Sequence, residues 1–171
     1  MRRLAPLVLA ALLPLAPATA QDTPPAAPAA NGQAFGNWIL RCQALGVAQT
    51  QCNLVQELTL AETGAMIVRL IVTELQGGPT LVAHVPIGAY LPSGLVYQVE
   101  GDETEQKEMV WQRCLGSICE GALAMDEDEV ARLSSGTLLV GYRPAPGVEP
   151  VVLRVGLDGF GEGVAAIFGE G

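Results

Sequence analysis

From Phe35 onward the chain breaks into short runs of β-branched and apolar residues separated by Gly and Pro, at the spacing of a β-sandwich or barrel. The pattern predicts strands over 36–42, 51–59, 65–75, 80–86, 94–100, 105–114, 119–125, 137–143 and 150–157. Met66-Ile67-Val68-Arg69-Leu70-Ile71-Val72 is too apolar to alternate cleanly, which predicts a central strand covered on both faces. The expected fold is all-β, an antiparallel two-sheet sandwich with two disulfide-closed hairpins and one short helix.

That helix is expected after Asp126-Glu127-Asp128-Glu129, where Asp126 and Glu129 have the spacing of a capping box ahead of Val130, Ala131 and Leu133, and it ends by Gly136. A calcium loop is the sharper alternative, but the segment lacks the spaced oxygen ligands and central Gly of an EF-hand. Gly159, Gly161 and Gly163 form part of a phosphate-loop pattern without its lysine, so they predict a turn before a short C-terminal apolar segment.

The first residues follow a different pattern. Arg2 and Arg3 precede an apolar run from Leu4 to Leu15, and Ala18-Thr19-Ala20 offers small residues for cleavage, the layout of a secretory leader over 1–20. The run is shorter than the roughly 18 residues that a membrane span needs, and Pro6 and Pro14 interrupt it. Residues 21–34, rich in Pro and Ala, predict a disordered tether, which leaves 35–171 as one folded domain. Loss of Arg2 and Arg3 with the leader takes the formal charge from −9 to −11, which disfavours nucleic acid and anionic membranes as partners.

Export gives the cysteines a meaning. Cys42, Cys52, Cys114 and Cys119 all follow the leader, and an even number in an oxidising compartment implies two disulfides. Of the three possible connectivities, proximity favours Cys42 with Cys52 and Cys114 with Cys119. A hairpin centred on the first pair sets Leu40 opposite Leu54 and Trp38 opposite Gln56, so that Trp38 packs beside the disulfide. Around the second pair the register sets Arg113 opposite Glu120, Trp111 opposite Ala122 and Met109 opposite Ala124. The Trp-to-Cys spacing is four in one hairpin and three in the other, which places the two Trp on different faces relative to their Cys and argues against an internal repeat.

Candidate chemistry narrows the function classes. The only histidine is His84, expected to point from a strand to solvent, and no G-x-S-x-G elbow surrounds Ser93, Ser117, Ser134 or Ser135. One His and four disulfide cysteines make no tetrahedral zinc set, and the four residues between Cys114 and Cys119 do not match a redox C-x-x-C. No catalytic residue, cofactor or metal is therefore expected. A glycan hydrolase using paired carboxylates stays open, because a sequence does not show which acidic residues converge.

Several features taken in order resemble the invasion-associated locus B family: Trp38 through Cys42, Cys52, the stretch Val85-Pro86-Ile87-Gly88-Ala89-Tyr90-Leu91-Pro92-Ser93-Gly94-Leu95, the Cys114 and Cys119 pair, and Gly159-Phe160. The resemblance runs from Phe35 to about Phe168. It implies an alphaproteobacterial periplasmic or outer-surface protein, some relatives of which are implicated in invasion of host cells, and it carries over no catalytic residue. Pro86, Gly88, Pro92 and Gly94 also suit paired turns between strands. The expected function is a non-catalytic envelope domain that binds a protein or a cell-surface component, with a periplasmic stress or chaperone-like factor as the alternative. The expected location is the periplasm, with outer-membrane association or secretion as variants.

Overall fold

The computed structural model of the protein describes residues 30–102 and 105–169. The expected leader over 1–20 and the tether up to residue 29 lie outside that range.

The strands are β1 (Ala34–Phe35), β2 (Trp38–Gly46), β3 (Gln49–Thr59), β4 (Met66–Leu75), β5 (Gly78–Pro86), β6 (Leu95–Val99), β7 (Lys107–Leu115), β8 (Ile118–Ala124), β9 (Thr137–Tyr142) and β10 (Val151–Gly156). The helices are α1 (Glu127–Arg132) and α2 (Phe160–Phe168). Strands β2 to β10 coincide with the predicted runs to within a few residues. β1 is an addition, and it corrects the expectation that the tether reaches residue 34. Phe35 pairs with Trp38, the Gly32 N–H donates to the Leu40 carbonyl, and the Cys42 N–H donates to Asn31 Oδ1 at 2.9 Å.

The ladders join into one 10-stranded antiparallel sheet in the order β1-β2-β3-β4-β5-β8-β7-β6-β9-β10, in place of the expected two-sheet sandwich. Two pairings between strands distant in sequence create the continuity: β5 with β8, from Thr80↔Ala124 to Pro86↔Ile118, and β6 with β9. The two ends of the sheet then approach each other. The Asn37 N–H, in the turn after β1, donates to the Asp158 carbonyl just beyond β10 at 3.1 Å. Gly159, at φ 81°, makes the approach possible, since a Cβ there would lie 2.2 Å from the Phe35 carbonyl. The inward faces share one core that includes Trp38, Leu54, Leu81, Tyr97, Leu138 and Phe160.

α2 corrects the expectation of a single helix. Gly161 and Gly163 argue against a helix by propensity, yet tertiary contact selects for small residues there. Gly163 lies against Leu54, and the Phe160 ring meets Trp38 edge-on at 5.1 Å, so that α2 is fastened to the inward side of β2 and β3. β4 also departs from expectation. Val68, Leu70 and Val72 are fully buried while Ile67, Arg69 and Ile71 are half-buried, so this strand does alternate. Successive burial falls instead on β5, where Leu81 and Ala83 enter the core while Thr80 and Val82, on the other side, are buried among the flanking side chains of β4 and β8.

The two cysteine hairpins form as expected, with Cys42–Cys52 and Cys114–Cys119 disulfides. In the first, Leu40 opposes Leu54 and the ladder ends at Ile39 opposite Val55, a register that keeps Trp38 in line with Gln56, while on the other edge of β2 Trp38 pairs with Phe35. In the second, Arg113 opposes Glu120, but a bulge between Trp111 and Arg113 sets Trp111 opposite Gly121 and Val110 opposite Ala122. The expected pairs Trp111 with Ala122 and Met109 with Ala124 are thus displaced by one residue. The extra residue, Gln112, also brings Trp111 to the face of Cys114, because Gly121 and Cys119 are two apart on β8. Both hairpins therefore carry Trp and disulfide on the same inward side.

Candidate functional site

The outward side of the sheet bears two parallel rows that no single strand reveals. One is polar: Glu57 of β3 opposes Arg69 of β4, Arg69 opposes His84 of β5, His84 opposes Glu120 of β8, and Glu120 opposes Arg113 of β7. Direct cross-strand neighbours lie within side-chain reach, so the row forms a chain of contacts. Arg69 Nε donates to Glu57 Oε2 at 2.5 Å, His84 Nε2 lies 3.1 Å from Glu120 Oε2, and Arg113 Nε lies 3.8 Å from Glu120 Oε1. The expectation that His84 points freely to solvent is corrected, since its side chain is 14% exposed and engaged with Glu120.

The second row is apolar and lies two residues along each strand. Ile39 opposes Val55, Val55 opposes Ile71, Ile71 opposes Val82, Val82 opposes Ala122, and Ala122 opposes Val110. Its ends are open, with Val110 67% exposed. On the other side of the polar row, Pro86 opposes Ile118 and Ile118 opposes Leu115, which is 69% exposed. A charged row thus runs between apolar flanks, the makeup of a surface that can be buried against another one. The bulge at Gln112 contributes directly, because it leaves both Val110 and Arg113 on this side despite their odd spacing.

A separate cluster fastens α1 to the sheet. Asp126 Oδ1 accepts the Glu129 N–H at 2.8 Å, as the capping pattern requires, but the Glu129 side chain turns inward instead of completing the box. Its carboxylate accepts Tyr97 Oη at 2.9 Å, Lys107 Nζ at 2.6 Å and Arg132 Nη2 at 2.6 Å. Burial pushes the Glu129 pKa up, yet the hydrogen bonds from Arg132, Lys107 and Tyr97 outweigh it and hold the carboxyl below its ordinary range. Burial, and then the hydrogen bond to Glu129, raise the Tyr97 pKa. The bond to Glu129 raises Lys107 as well. The Arg132 guanidinium stacks 5.4 Å from the centre of the Tyr97 ring. With its charge met by these partners, the carboxylate is built to hold α1 in place.

The stretch Pro86 to Leu95 serves as a connector. Leu91–Ser93 form one 3₁₀ turn, the Tyr90 N–H donates to the Arg143 carbonyl at 2.7 Å, and Trp111 Nε1 donates to the Leu91 carbonyl at 3.1 Å. These bonds hold the link between β5 and β6 against β7 and the end of β9.

Among the described residues no His, Cys, Asp and Glu side chains group in a way that could hold a metal ion, and no helix is long and apolar enough to cross a membrane.

Comparison with known proteins matches this architecture. An invasion protein B homologue of Brucella abortus (strain 2308) is 28% identical over 154 residues, covering 89% of this chain and 81% of that protein, and a homologue from B. abortus biovar 1 (strain 9-941) matches to the same extent. The crystal structure of invasion associated protein b from Bartonella henselae shares the fold, with a TM-score of 0.66 at 21% identity over 79% of this chain and 92% of that one. The family model described as Invasion associated locus B (IalB) protein matches residues 38–168, from the first residue of β2 to the last of α2. With most of its length accounted for in this way, the chain belongs to the Invasion associated locus B protein family.

Proposed function

We propose that the chain is a non-catalytic, exported domain of the bacterial envelope that binds a protein or a cell-surface component through the outward side of β3, β4, β5, β8 and β7. The observation that carries this is the pair of rows across those strands, apolar beside charged, with Val110 and Leu115 exposed at one end. An apolar strip supplies the area-dependent part of binding, and fixed charges beside it set orientation and partner choice. The leader pattern over 1–20 and the two disulfides support export to the periplasm, with onward passage to the outer surface as a variant. The invasion named for the relatives supports a host-cell surface as one candidate partner, alongside the bacterium's own envelope.

The test is capture from envelope and host-cell surface extracts by the oxidised full chain, compared with Ile71→Glu, Val110→Glu and a control, Val152→Glu, on the exposed outer edge of β10. The expected result is a component held by the native chain and the control and lost by both outward-side variants. Retention by all of them would move the binding site elsewhere. Fractionation of cells expressing the full chain checks export, and a cytoplasmic, reduced product would contradict it.

A further inference from the structure

The order of charges along the polar row has a symmetry of its own. From β3 to β7 it reads Glu57, Arg69, His84, Glu120, Arg113. Read in reverse, every acid falls where a base stood, and His84 stays at the centre. We infer that the outward side pairs face to face with a second copy of the same chain, about a two-fold axis running nearly along β5; this deepens the binding role assigned above to that side and rests on it.

The geometry follows from the sheet. In the aligned class of face-to-face sheet packing the strands stay within about 30° of each other, so a two-fold axis in such an interface lies close to the strand direction or close to its perpendicular. An axis across the strands would set Glu57 over Glu57 and Arg69 over Arg69, a row of like charges. An axis along β5 sets β3 over the second copy's β7 and β4 over its β8. Glu57 then faces the second copy's Arg113, Arg69 faces its Glu120, and His84 faces His84. The same operation lays the apolar row on itself, Val55 against Val110, Ile71 against Ala122, and Val82 against Val82. One of the two arrangements thus satisfies charge and apolar matching together. In it, the apolar strip provides the attraction and the charged row provides the register.

Glu57 and Arg113 lie at the edges of the patch with side chains 35% and 67% exposed, so exchanging their charges leaves the core untouched. Sedimentation of the oxidised full chain across a concentration series is expected to show a monomer–dimer equilibrium. Ile71→Glu and Val110→Glu each weaken it by about tenfold or more. Glu57→Arg alone and Arg113→Glu alone also weaken it, because each homodimer acquires two like-charged contacts. An equimolar mixture of the Glu57→Arg and Arg113→Glu proteins is expected to recover the dimer, since both contacts in the mixed pair become complementary. Added salt is expected to reduce this preference for the mixed pair.

A monomer at all concentrations would overturn pairing between copies. So would a dimer indifferent to Ile71→Glu and Val110→Glu, or a mixture no more dimeric than its components. If the native chain stays monomeric while those two variants still lose the captured envelope or host component, self-pairing fails and the binding role of the face stands. If the chain dimerises as expected but captures nothing, the face is an interface between copies alone.

Discussion

Lys107 Nζ lies 2.6 Å from Glu129 Oε2, and this contact ties the start of β7 to the only turn of helix between β8 and β9. The Glu129 side chain is 7% exposed, so its charge depends on Lys107, Arg132 and Tyr97 for solvation. Glu129→Gln would remove the negative charge and leave two cations facing each other without it. Breaking a buried ion pair from one side costs roughly 3–5 kcal/mol, but Lys107 is 40% exposed and part of the effect is screened, so a loss of about 2–3 kcal/mol is expected. Urea unfolding measures it, with Glu127→Gln on the exposed side of α1 expected to stay within about 0.5 kcal/mol of the native chain.

The same cluster sets the pH range of stability. Glu129 has a folded pKa below its unfolded value, so its contribution is fully present above about pH 4.3 and is lost as pH falls through the folded pKa. Tyr97 and Lys107 have folded pKa values above their unfolded ones, so their contributions are present below about pH 10 and are lost as pH rises beyond it. Thermal unfolding across pH is expected to give a plateau with a fall on either flank. Glu129→Gln should flatten the acid flank, and Tyr97→Phe should lessen the alkaline one. An acid flank of unchanged slope in Glu129→Gln would assign it to other carboxylates.

Legibility in the sequence followed locality. The register Cys42↔Cys52 was readable because a covalent link and a short hairpin agree on it. Trp111 was not, because nothing in Trp111-Gln112-Arg113 marks Gln112 as the residue that bulges out of the ladder. The replacement of a sandwich by one sheet turns on β5 pairing with β8 and β6 with β9, contacts between segments whose order in space is not written in their own patterns. For the same reason the outward rows stayed hidden: His84 meets Glu120 across 36 positions of sequence. Its spacing from Asp126 marks Glu129 as a capping residue, whereas its side-chain partners lie on β6, β7 and the next turn of its own helix.

Gly163 gives a test of packing against propensity. In an exposed helix Gly→Ala gains roughly 0.5–1 kcal/mol. Here a Cβ would lie 2.6 Å from both methyl carbons of Leu54, which is fully buried beneath α2. Gly163→Ala is therefore expected to destabilise by about 1–3 kcal/mol, the usual cost of overpacking. Leu54→Val in the same chain should recover part of that loss, and a double-mutant cycle by urea unfolding reads the coupling. A stabilised Gly163→Ala protein would mean that α2 is not seated on β3.

The two disulfides should differ in a predictable direction. Cys42–Cys52 spans a sequence separation of 10 and Cys114–Cys119 one of 5, so the chain-entropy account gives the first roughly 2.7 kcal/mol and the second roughly 2 kcal/mol. Packing narrows the gap without reversing it. Cys42 shares β2 with Trp38, which anchors α2 through Phe160, and Cys42 and Cys52 are half-buried; in the second bridge Cys114 is exposed but Cys119 is buried in the core, where alanine keeps its Cβ and leaves loop length to decide. Replacing each pair with two alanines should therefore lower the urea midpoint more for Cys42 and Cys52. Losing the second bridge should loosen the Arg113–Glu120 end of the outward row, and amide exchange at Arg113 and Glu120 is expected to rise more than at Arg69. The reverse order of midpoints would show that the Leu115–Ile118 turn depends on its covalent clasp more than its loop length implies.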